Sequence, residues 1–364
     1  MKVLAVVPSL YNTSPGQRFR IEQWEPLLTE MGVEITYVPF ETPELREILY
    51  QNGHLPRKIG AVIGGLSERR RQLRSLSGYD LVYLFREAAL LGPPWFERMI
   101  ARSRVPMVFD FDDAIFVAYK SPSNGYLSYL KFPQKAAEIC GLASHVMPGN
   151  QFLADYSLRF NKNVTVIPTT IDTEKYRPLV EKNENDILTI GWTGSHSTVQ
   201  HLDTIRPALQ TLAKTETFRL RVIGTPSYDI EGVDVDAKQW DATSEVDDLR
   251  EFDIGVMPLP DDQWSKGKCG LKALQCMALG IPTVCSPVGV NSTIIRDCAN
   301  GFIAGTQDEW VAVLKKLLNN AELRRKSGLA GRETVEKSYS ARSQASRVFE
   351  IFESVIKQKE THNV

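Results

Sequence analysis

Residues 266–270 read Lys-Gly-Lys-Cys-Gly and stand where an apolar run passes into an apolar helical pattern. Backbone N–H groups at the start of a helix and the helix dipole favour an anion there, and glycines let the anion approach. The segment therefore predicts an anion site, with Lys266 and Lys268 adding positive charge and a diphosphate as the natural occupant. An ordinary loop with surface lysines is the alternative. Cys269 lies in this loop, where a nucleophilic role is the minor alternative to a small buried side chain.

A second connection between a strand and a helix offers similar chemistry. The apolar run Ile187–Trp192 is followed by residues 193–198, which read Thr-Gly-Ser-His-Ser-Thr, and then by a helical pattern. Glycine supplies a tight turn, and the hydroxyl groups supply caps and hydrogen bonds. We expect a phosphate or nucleotide site at this strand end, formed by Gly194, Ser195, His196 and Thr198. An ordinary capped helix is the alternative.

Two arginines follow the first apolar run of the chain. Arg18 and Arg20 come shortly after Val3–Val7, at the expected carboxyl end of a first strand. Arginine forks suit phosphate or carboxylate groups. The pair is therefore a candidate site for an acceptor or a phosphate, with two ordinary surface arginines as the alternative.

Three carboxylates come at the end of the apolar run Met107–Phe111. Asp110, Asp112 and Asp113 would be costly at a strand end unless they are paired or functional. We expect one of them to act as a base or a hydrogen-bonding group toward an acceptor.

Short apolar runs rich in β-branched residues recur through both halves of the chain and alternate with helical patterns. This alternation predicts parallel sheets built from right-handed βαβ units. Since the runs are continuously apolar, the strands should be buried on both faces. The fold class is therefore α/β, with two Rossmann-like domains in tandem. The expected strands are Val3–Val7, Val33–Val38, Leu81–Phe85, Met107–Phe111, Val164–Ile167, Ile187–Trp192, Leu220–Ile223, Ile254–Met257 and Pro282–Cys285.

The boundary between the two domains is visible as a polar and charged stretch. We place an N-terminal domain at residues 1–167, a linker at 168–186 and a C-terminal domain at 187–340. Residues 341–364 include a long amphipathic helix. This helix either packs on its own domain or crosses back to the N-terminal domain.

Composition excludes several classes of protein. The chain has 43 basic and 44 acidic residues and a net charge of -1, whereas a nucleic-acid binder is usually strongly basic. Five cysteines without a Cys-x-x-Cys pair favour a reducing compartment, and four of them, Cys269 excepted, are expected to be small buried side chains. The first apolar run is too short for a signal peptide, and no run is long enough for a transmembrane helix. We expect a cytoplasmic protein.

Residues 55–75 form a locally basic segment around an apolar stretch. Six basic side chains stand there against one glutamate, and residues 59–66 between them read Ile-Gly-Ala-Val-Ile-Gly-Gly-Leu. A basic stretch beside an apolar one is able to lie on an anionic membrane surface. The alternative is the solvated face of a helix.

The segment from Lys266 to Gly289 resembles the donor-site signature of family-4 glycosyltransferases. That family carries two glutamates in a Glu-x7-Glu spacing, of which the first contacts the donor sugar and the second the ribose hydroxyls. Gly267 and Gln275 stand at these positions here, and residues 267–272 resemble a Gly-Lys-Cys-x-x-Lys variant of the loop. The residues that match the signature are Gly270, Leu271, Leu274, Met277, Ala278, Gly280 and Pro282.

The resemblance implies a GT-B fold, in which two Rossmann-like domains face a central cleft. It implies transfer of a sugar, as in hexosyltransferases, from a nucleoside diphosphate sugar such as a UDP- or GDP-sugar. The acceptor would be a glycan, a lipid-linked saccharide or a small molecule, as in polysaccharide biosynthesis. Transfer would retain the anomeric configuration and need no metal and no other cofactor. The implied donor-binding residues are Gly194, Ser195, His196, Thr198, Lys266, Lys268, Cys269, Gly270, Leu271 and Gln275, and the implied acceptor domain is residues 1–167.

Other interpretations of the sequence remain open. The Asp110-x-Asp112 spacing also resembles the metal motif of the GT-A fold, although tandem Rossmann-like domains argue against that fold. A sugar-nucleotide epimerase of similar fold is one alternative function. A catalytically inactive sugar-nucleotide-binding protein is another, suggested by the missing glutamates. An NAD-dependent enzyme is disfavoured because no Gly-x-Gly-x-x-Gly follows the first strand.

Overall fold

A computed structural model describes residues 1–49, 55–118, 132–179, 187–195 and 198–362. The chain divides into two compact units. Unit 1 comprises Met1–Thr169 together with Gln344–Val364, and unit 2 comprises Thr170–Ser343. Part of the expected linker, residues 180–186, lies outside the described residues.

Unit 1 contains a five-stranded parallel sheet in the order β2-β1-β3-β4-β5. The strands β1, β3 and β4 are buried along almost their whole length, as their continuous apolar runs predict. The described elements are β1 (Lys2–Val7), α1 (Pro15–Gln17), a π-helical turn (Arg18–Glu22), α2 (Gln23–Glu30), β2 (Glu34–Pro39), α3 (Pro43–Leu49), α4 (Leu55–Gln72), β3 (Leu81–Phe85), α5 (Trp95–Arg102), β4 (Met107–Phe111), α6 (Lys135–Leu142), β5 (His145–Pro148) and α7 (Gln151–Ser157).

Unit 2 contains a six-stranded parallel sheet in the order β11-β10-β9-β6-β7-β8. Its described elements are β6 (Thr189–Thr193), a 3-10 helix (Val199–Ile205), α8 (Arg206–Ala213), β7 (Arg219–Ile223), β8 (Asp234–Lys238), α9 (Glu245–Arg250), β9 (Ile254–Met257), α10 (Gln263–Lys266), α11 (Leu271–Ala278), β10 (Thr283–Cys285), α12 (Asn291–Ile294), β11 (Phe302–Ile303), α13 (Gln307–Leu318) and α14 (Ala321–Ser338). The last helix of the chain, α15, spans Ala341–His362.

The helix α15 contributes to the core of unit 1. Its apolar side chains Val348, Phe352 and Val355 are buried, and the Phe352 ring packs edge-on against the Tyr83 ring of β3 at a centroid distance of 6.1 Å. The amphipathic pattern in the sequence arises because one face of this helix covers apolar side chains of unit 1.

The sequence pattern misplaced one strand and missed others. The expected strand at 164–167 is not a regular strand, although Val164 forms a parallel bridge with Val146, and the N–H groups of Thr165 and Ile167 donate to carbonyl oxygens of β5. The regular strand at this edge is β5. The pattern also missed β8 and β11. The strand β8 reads Asp-Val-Asp-Ala-Lys and lies at the sheet edge, where one face carries polar side chains, so it lacks a continuous apolar run.

One smaller expectation, that Cys298 is buried, also differs from the structure. Cys298 is exposed, whereas Cys140, Cys276 and Cys285 are buried, and all five cysteines are free thiols. The exposed cysteine lies in a polar turn, which a count of cysteines does not reveal.

The buried side chain of Arg69 on α4 forms hydrogen bonds with backbone carbonyl groups at or shortly after the ends of three strands of unit 1. Its guanidinium donates to the carbonyl oxygens of Val7, Val38 and Ala88, at 3.0, 2.7 and 2.8 Å. Burial lowers the pKa of this side chain to about 10. Arg69 is therefore a structural residue and does not belong to the exposed basic surface of α4.

Candidate active site

The strands β6 and β9 meet where the strand order of unit 2 reverses direction. The chain proceeds from β6 to β7 and β8 on one side, and from β9 to β10 and β11 on the other. Ligands of open α/β sheets bind at the carboxyl ends of the strands beside such a reversal. The loops that follow β6 and β9 are the two segments that the sequence singles out, and they leave the sheet side by side.

The loop after β6 is held against the loop after β7 by close backbone contacts. The N–H of Gly194 donates to the Ile223 carbonyl at 2.9 Å, and the N–H of Ser195 donates to Thr198 Oγ1 at 2.9 Å. A Cβ on Gly224, whose φ is +122°, would lie 2.2 Å from the Gly194 carbonyl oxygen. Glycine is required at that approach. His196 lies outside the described residues.

The loop after β9 ends at a glycine that starts α11. Gly270 adopts φ +72°, and a Cβ there would lie 2.2 Å from Ile294 Cδ1, so both the backbone and the packing require glycine. Leu271 begins the helix. The Sγ of buried Cys269 lies 3.7 Å from the Gly267 carbonyl oxygen, which favours the buried side chain over a nucleophile.

The two lysines of this loop have different surroundings. Lys266 Nζ lies 3.0 Å from the exposed carboxylate of Asp261. Lys268 Nζ lies over the Trp264 ring, 4.9 Å from its centroid, and both side chains are half-buried. The face of an indole ring attracts a cation, so the contact holds the Lys268 ammonium group over Trp264.

His201 connects the two loops electrostatically. It lies in the 3-10 helix that follows the loop after β6, and its pKa is lowered mainly by burial and then by the charge of Lys268, against a smaller opposite effect of Asp262. The charge of Lys268, in the second loop, therefore acts on the helix that follows the first loop. The charge that the first loop itself lacks is thus supplied from the second.

Gln275 is fully buried, and both ends of its amide are engaged. Its Nε2 donates to Tyr176 Oη at 3.0 Å and to Glu245 Oε1 at 3.2 Å. Its Oε1 accepts from Lys272 Nζ at 3.2 Å. In this arrangement the amide holds protein groups together, and the side chain presents no exposed surface to a ribose.

In unit 1, Asp110 and Arg20 form a buried ion pair. Arg20 Nε lies 2.9 Å from Asp110 Oδ2, and its Nη1 and Nη2 donate to the carbonyl oxygens of Ile167 and Met147. The Tyr83 hydroxyl donates to the same carboxylate at 2.5 Å. Burial raises the pKa of Asp110 to about 6, against the opposing effect of Arg20. Both charged side chains are fully buried, which favours a structural role for the pair.

Asp112 and Asp113 are in contrast partly exposed and share Arg86. The guanidinium of Arg86 donates to Asp112 Oδ1 at 2.7 Å and to Asp113 Oδ2 at 2.8 Å. Arg86 has a φ of +58°, which is unusual for a residue with a Cβ. Such strained backbone conformations cluster at functional sites. A Cβ on Gly16 would lie 2.7 Å from Arg86 Nη2, so the chain after β1 closes over this cluster.

The remaining candidates of unit 1 lie around this edge of the sheet. Arg18 is buried, with its guanidinium 5.4 Å from the centroid of the Phe19 ring. Two further residues that follow strands, Glu87 and Asn150, have structural partners. Glu87 pairs with Lys135 at 2.5 Å, and Asn150 caps α7 by accepting from the Leu153 N–H at 2.9 Å.

Sequence reasoning missed three residues of unit 2 that the structure brings to the site. His201 lies in the 3-10 helix directly after the first glycine loop, whereas Trp240 and Glu245 are distant in the sequence from both glycine loops. His201 stands on a helix face where a buried core histidine is the usual expectation. For Glu245, the signal was its position at the start of a helix, directly after the turn that contains Asp241.

Within the described ranges, no group of three or more histidine, cysteine, aspartate or glutamate side chains is arranged to hold a metal ion. The same part of the chain contains no helix that is long and apolar enough to cross a membrane.

Comparison with known proteins gives one family match and several structural neighbours. Residues 185–320 match the family model described as glycosyl transferases group 1. Sucrose-phosphate synthase from Thermosynechococcus elongatus is 15% identical with a TM-score of 0.72, covering 98% of this chain and 100% of that one. A glycosyltransferase from Rickettsia africae is 15% identical with a TM-score of 0.66, covering 98% of each chain.

A third neighbour was solved with ligands. Anabaena HepE in complex with UDP and glucose is 12% identical with a TM-score of 0.65, covering 97% of this chain and 100% of that one. No curated protein matches this chain in sequence. The structural neighbours establish that the expected GT-B fold is correct.

Proposed function

We propose that this chain is a glycosyltransferase in which unit 2 binds a nucleoside diphosphate sugar and unit 1 binds the acceptor. The match of residues 185–320 to the group 1 glycosyltransferase family model and the GT-B fold support this proposal. The observation that carries the proposal is the pair of glycine loops that leave neighbouring strands at the strand reversal, with two lysines in the second loop. The complexes of Anabaena HepE with UDP and with UDP-glucose support a UDP-sugar as the first donor to test.

The chemistry of the two loops fits a departing diphosphate. In the transition state negative charge grows on the phosphate oxygen that leaves the sugar, and fixed donors with a nearby cation stabilise that charge. Lys268, Lys266 and the N–H groups at the start of α11 supply these charges and donors. No residue of this mechanism requires a metal ion, and we assign retention of the anomeric configuration on the family resemblance.

On the acceptor side, the contrast among three aspartates decides which of them to assign. Asp110 is fully buried against Arg20, whereas Asp112 and Asp113 keep some exposure beside Arg86. We assign acceptor hydrogen bonding to Asp112 and Asp113 and a structural role to Asp110. Asp112→Asn should lower transfer more than donor binding, while Asp110→Asn should lower the free energy of unfolding by about 3–5 kcal/mol.

A panel of UDP-, GDP- and ADP-sugars tests the proposed function. We expect one donor to be transferred to a saccharide or lipid-linked acceptor and slowly hydrolysed in its absence, with undiminished rates in EDTA. Conversion of the donor into a sugar nucleotide, or a free sugar, of different configuration without any acceptor would instead indicate an epimerase. Binding of a nucleotide without hydrolysis or transfer would favour an inactive binding protein, the alternative that Gly267 and Gln275 suggest.

The site of the reaction is proposed to be the cytoplasmic face of a membrane. The supporting observation is an exposed face of α4, the α4 face, defined by Ile59, Ile63 and Arg70. The two isoleucines are 51% and 59% exposed. At 100° per residue the three side chains lie within about 40° of one another. Exposed Arg71 and Arg74 follow at its end, so the face offers apolar anchors next to positive charge.

A further inference from the structure

The carboxyl edge of the sheet in unit 2 continues beyond the two glycine loops. From β6 the edge passes to β7 and then to β8, two strand spacings away. At about 4.8 Å per strand, the loop after β8 starts about 10 Å from the loop after β6, which is the reach of a nucleoside from its diphosphate. A ligand whose diphosphate lies at the glycine loops therefore extends its nucleoside toward this loop.

The loop after β8 carries an aromatic ring and a carboxylate in one hydrogen-bonded arrangement. Trp240 is half-buried, and its Nε1 donates to Glu245 Oε1 at 3.2 Å. Glu245 is buried at the start of α9. The turn between them is fixed by Asp241, whose Oδ1 accepts from both the N–H and the hydroxyl of Thr243. A ring fixed in this way loses little freedom when a planar base stacks on it.

The same carboxylate oxygen lies 3.2 Å from Gln275 Nε2. A ribose diol presents two O–H donors and needs an acceptor, which a carboxylate supplies better than an amide. The acceptor atom of Gln275 already takes a hydrogen bond from Lys272. Glu245 therefore brings a carboxylate into contact with Gln275, which stands where the family signature has its second glutamate.

We infer that Trp240 and Glu245 form the nucleoside end of the donor site: the Trp240 ring stacks on the base, and the Glu245 carboxylate accepts from the ribose. Gln275 and Lys272 are then positioning residues that hold Glu245 and act through it. This inference rests on the proposed function, since it assumes that the donor is a nucleoside diphosphate sugar.

The experiment measures the affinity of the full chain for UDP, GDP and ADP, and for inorganic pyrophosphate, by titration calorimetry. Trp240→Ala should weaken the best nucleoside diphosphate about tenfold or more, because one stacked base is lost, and leave pyrophosphate unchanged. Trp240→Phe keeps a ring but loses the N–H bond to Glu245, so its loss should be smaller. Trp95→Ala is the matched control, because Trp95 is an exposed tryptophan of unit 1.

A second variant tests the carboxylate. Glu245→Gln keeps the shape of the side chain, and we expect it to reduce the preference for UDP over 2′-deoxyuridine diphosphate while the thermal midpoint of the free protein stays close to that of the wild type. If the best nucleoside diphosphate binds Trp240→Ala and Glu245→Gln as tightly as the wild type, this inference is overturned and the proposed function stands. Equal losses for pyrophosphate and nucleotide would also overturn it. If the wild-type chain binds none of the three nucleotides, the proposed function fails, and this inference fails with it.

Discussion

At the scale of single residues, the lysines of the loop after β9 differ in their charged neighbours. Lys266 shares its charge with Asp261 at 3.0 Å, while Lys268 lies over an indole ring and its charge lowers the pKa of His201. We therefore expect Lys268 to contribute more than Lys266 to the binding of a phosphate. The sequence names both lysines, but it does not rank them, because the ranking depends on neighbours from other loops.

Replacing Lys268 by alanine tests this ranking. The variant should lower the affinity for UDP, or for the nucleotide that the donor panel selects, about 10- to 100-fold, since a hydrogen bond to a charged group contributes about 1.5–3 kcal/mol. Lys266→Ala is the matched control and should cost less, because its charge is already partly neutralised. Titration calorimetry measures both. An equal loss in the two variants would contradict the assignment.

His201 makes a second prediction, on pH. Its pKa is lowered in the folded chain by burial and by Lys268, so the unfolded chain takes up the proton more readily. The contribution of His201 to stability is therefore present above its ordinary pKa of 6.5 and is lost as the pH falls toward the lowered value. The free energy of unfolding, measured in urea, should therefore fall more steeply from about pH 7.5 to about pH 5.5 for the wild type than for His201→Gln.

His145 serves as the comparison for that measurement. Its pKa is also lowered by burial, but it is the first residue of β5 in unit 1. Bound UDP should raise the pKa of His201 and leave that of His145 unchanged, which NMR titration measures. If the pKa of His201 is the same with and without UDP, the diphosphate does not bind near this histidine.

At the scale of elements, α4 combines two roles on different faces. Arg69 points inward to three strand-end carbonyls, while Ile59, Ile63 and Arg70 form the exposed α4 face. The local excess of positive charge in the sequence therefore overstates the charge available at the surface. The burial of Arg69 could not be read from the sequence, because its three partners come from three separate strand ends.

The α4 face predicts binding to anionic membranes. Sedimentation with phosphatidylcholine vesicles should increase when phosphatidylglycerol is included and fall at high salt. The double variant Ile59→Ser with Ile63→Ser should reduce the bound fraction about tenfold or more, because buried isoleucines each contribute about 1.5–3 kcal/mol. Leu158→Ser is the control, since Leu158 is a comparably exposed side chain elsewhere in unit 1. If the double variant binds vesicles as well as the wild type does, the α4 face is not the membrane-binding surface.

At the scale of the whole molecule, unit 1 is assembled from both ends of the chain. The first 169 residues and the last 21 residues, 344–364, belong to one compact unit, and unit 2 is the segment between them. The helix α15 supplies the Phe352 ring that packs on Tyr83, whose hydroxyl binds Asp110. The part of the unit 1 sheet that contains Asp110 therefore packs on residues from the C-terminal segment of the sequence.

Phe352→Ala should lower the free energy of unfolding by about 3–5 kcal/mol, through the lost ring and the cavity that remains. Leu329→Ala, at an exposed position of α14, is the control and should change it by less than about 0.5 kcal/mol. Urea denaturation followed by circular dichroism measures the difference. A wild-type midpoint for Phe352→Ala would show that α15 adds little to the core of unit 1.

The sequence by itself determined the strand order in the chain, the fold class and the two glycine loops. These features follow from local patterns: continuous apolar runs, glycine at the start of a helix, and a Gly-x-Pro ending at Gly280 to Pro282. The sequence pattern did not predict edge strands such as β8, because polar residues interrupt their apolar pattern.

Only the tertiary structure decided which charged side chains remain available. It buried Arg20 with Asp110, engaged both ends of the Gln275 amide, and brought Glu245 and Trp240 to the same edge of the sheet. The physical reason is that the cost of burying a charge or an amide is met by partners distant in sequence. Residue type and spacing therefore identified the two glycine loops, while the arrangement of Trp240, Glu245 and Gln275 required the folded chain.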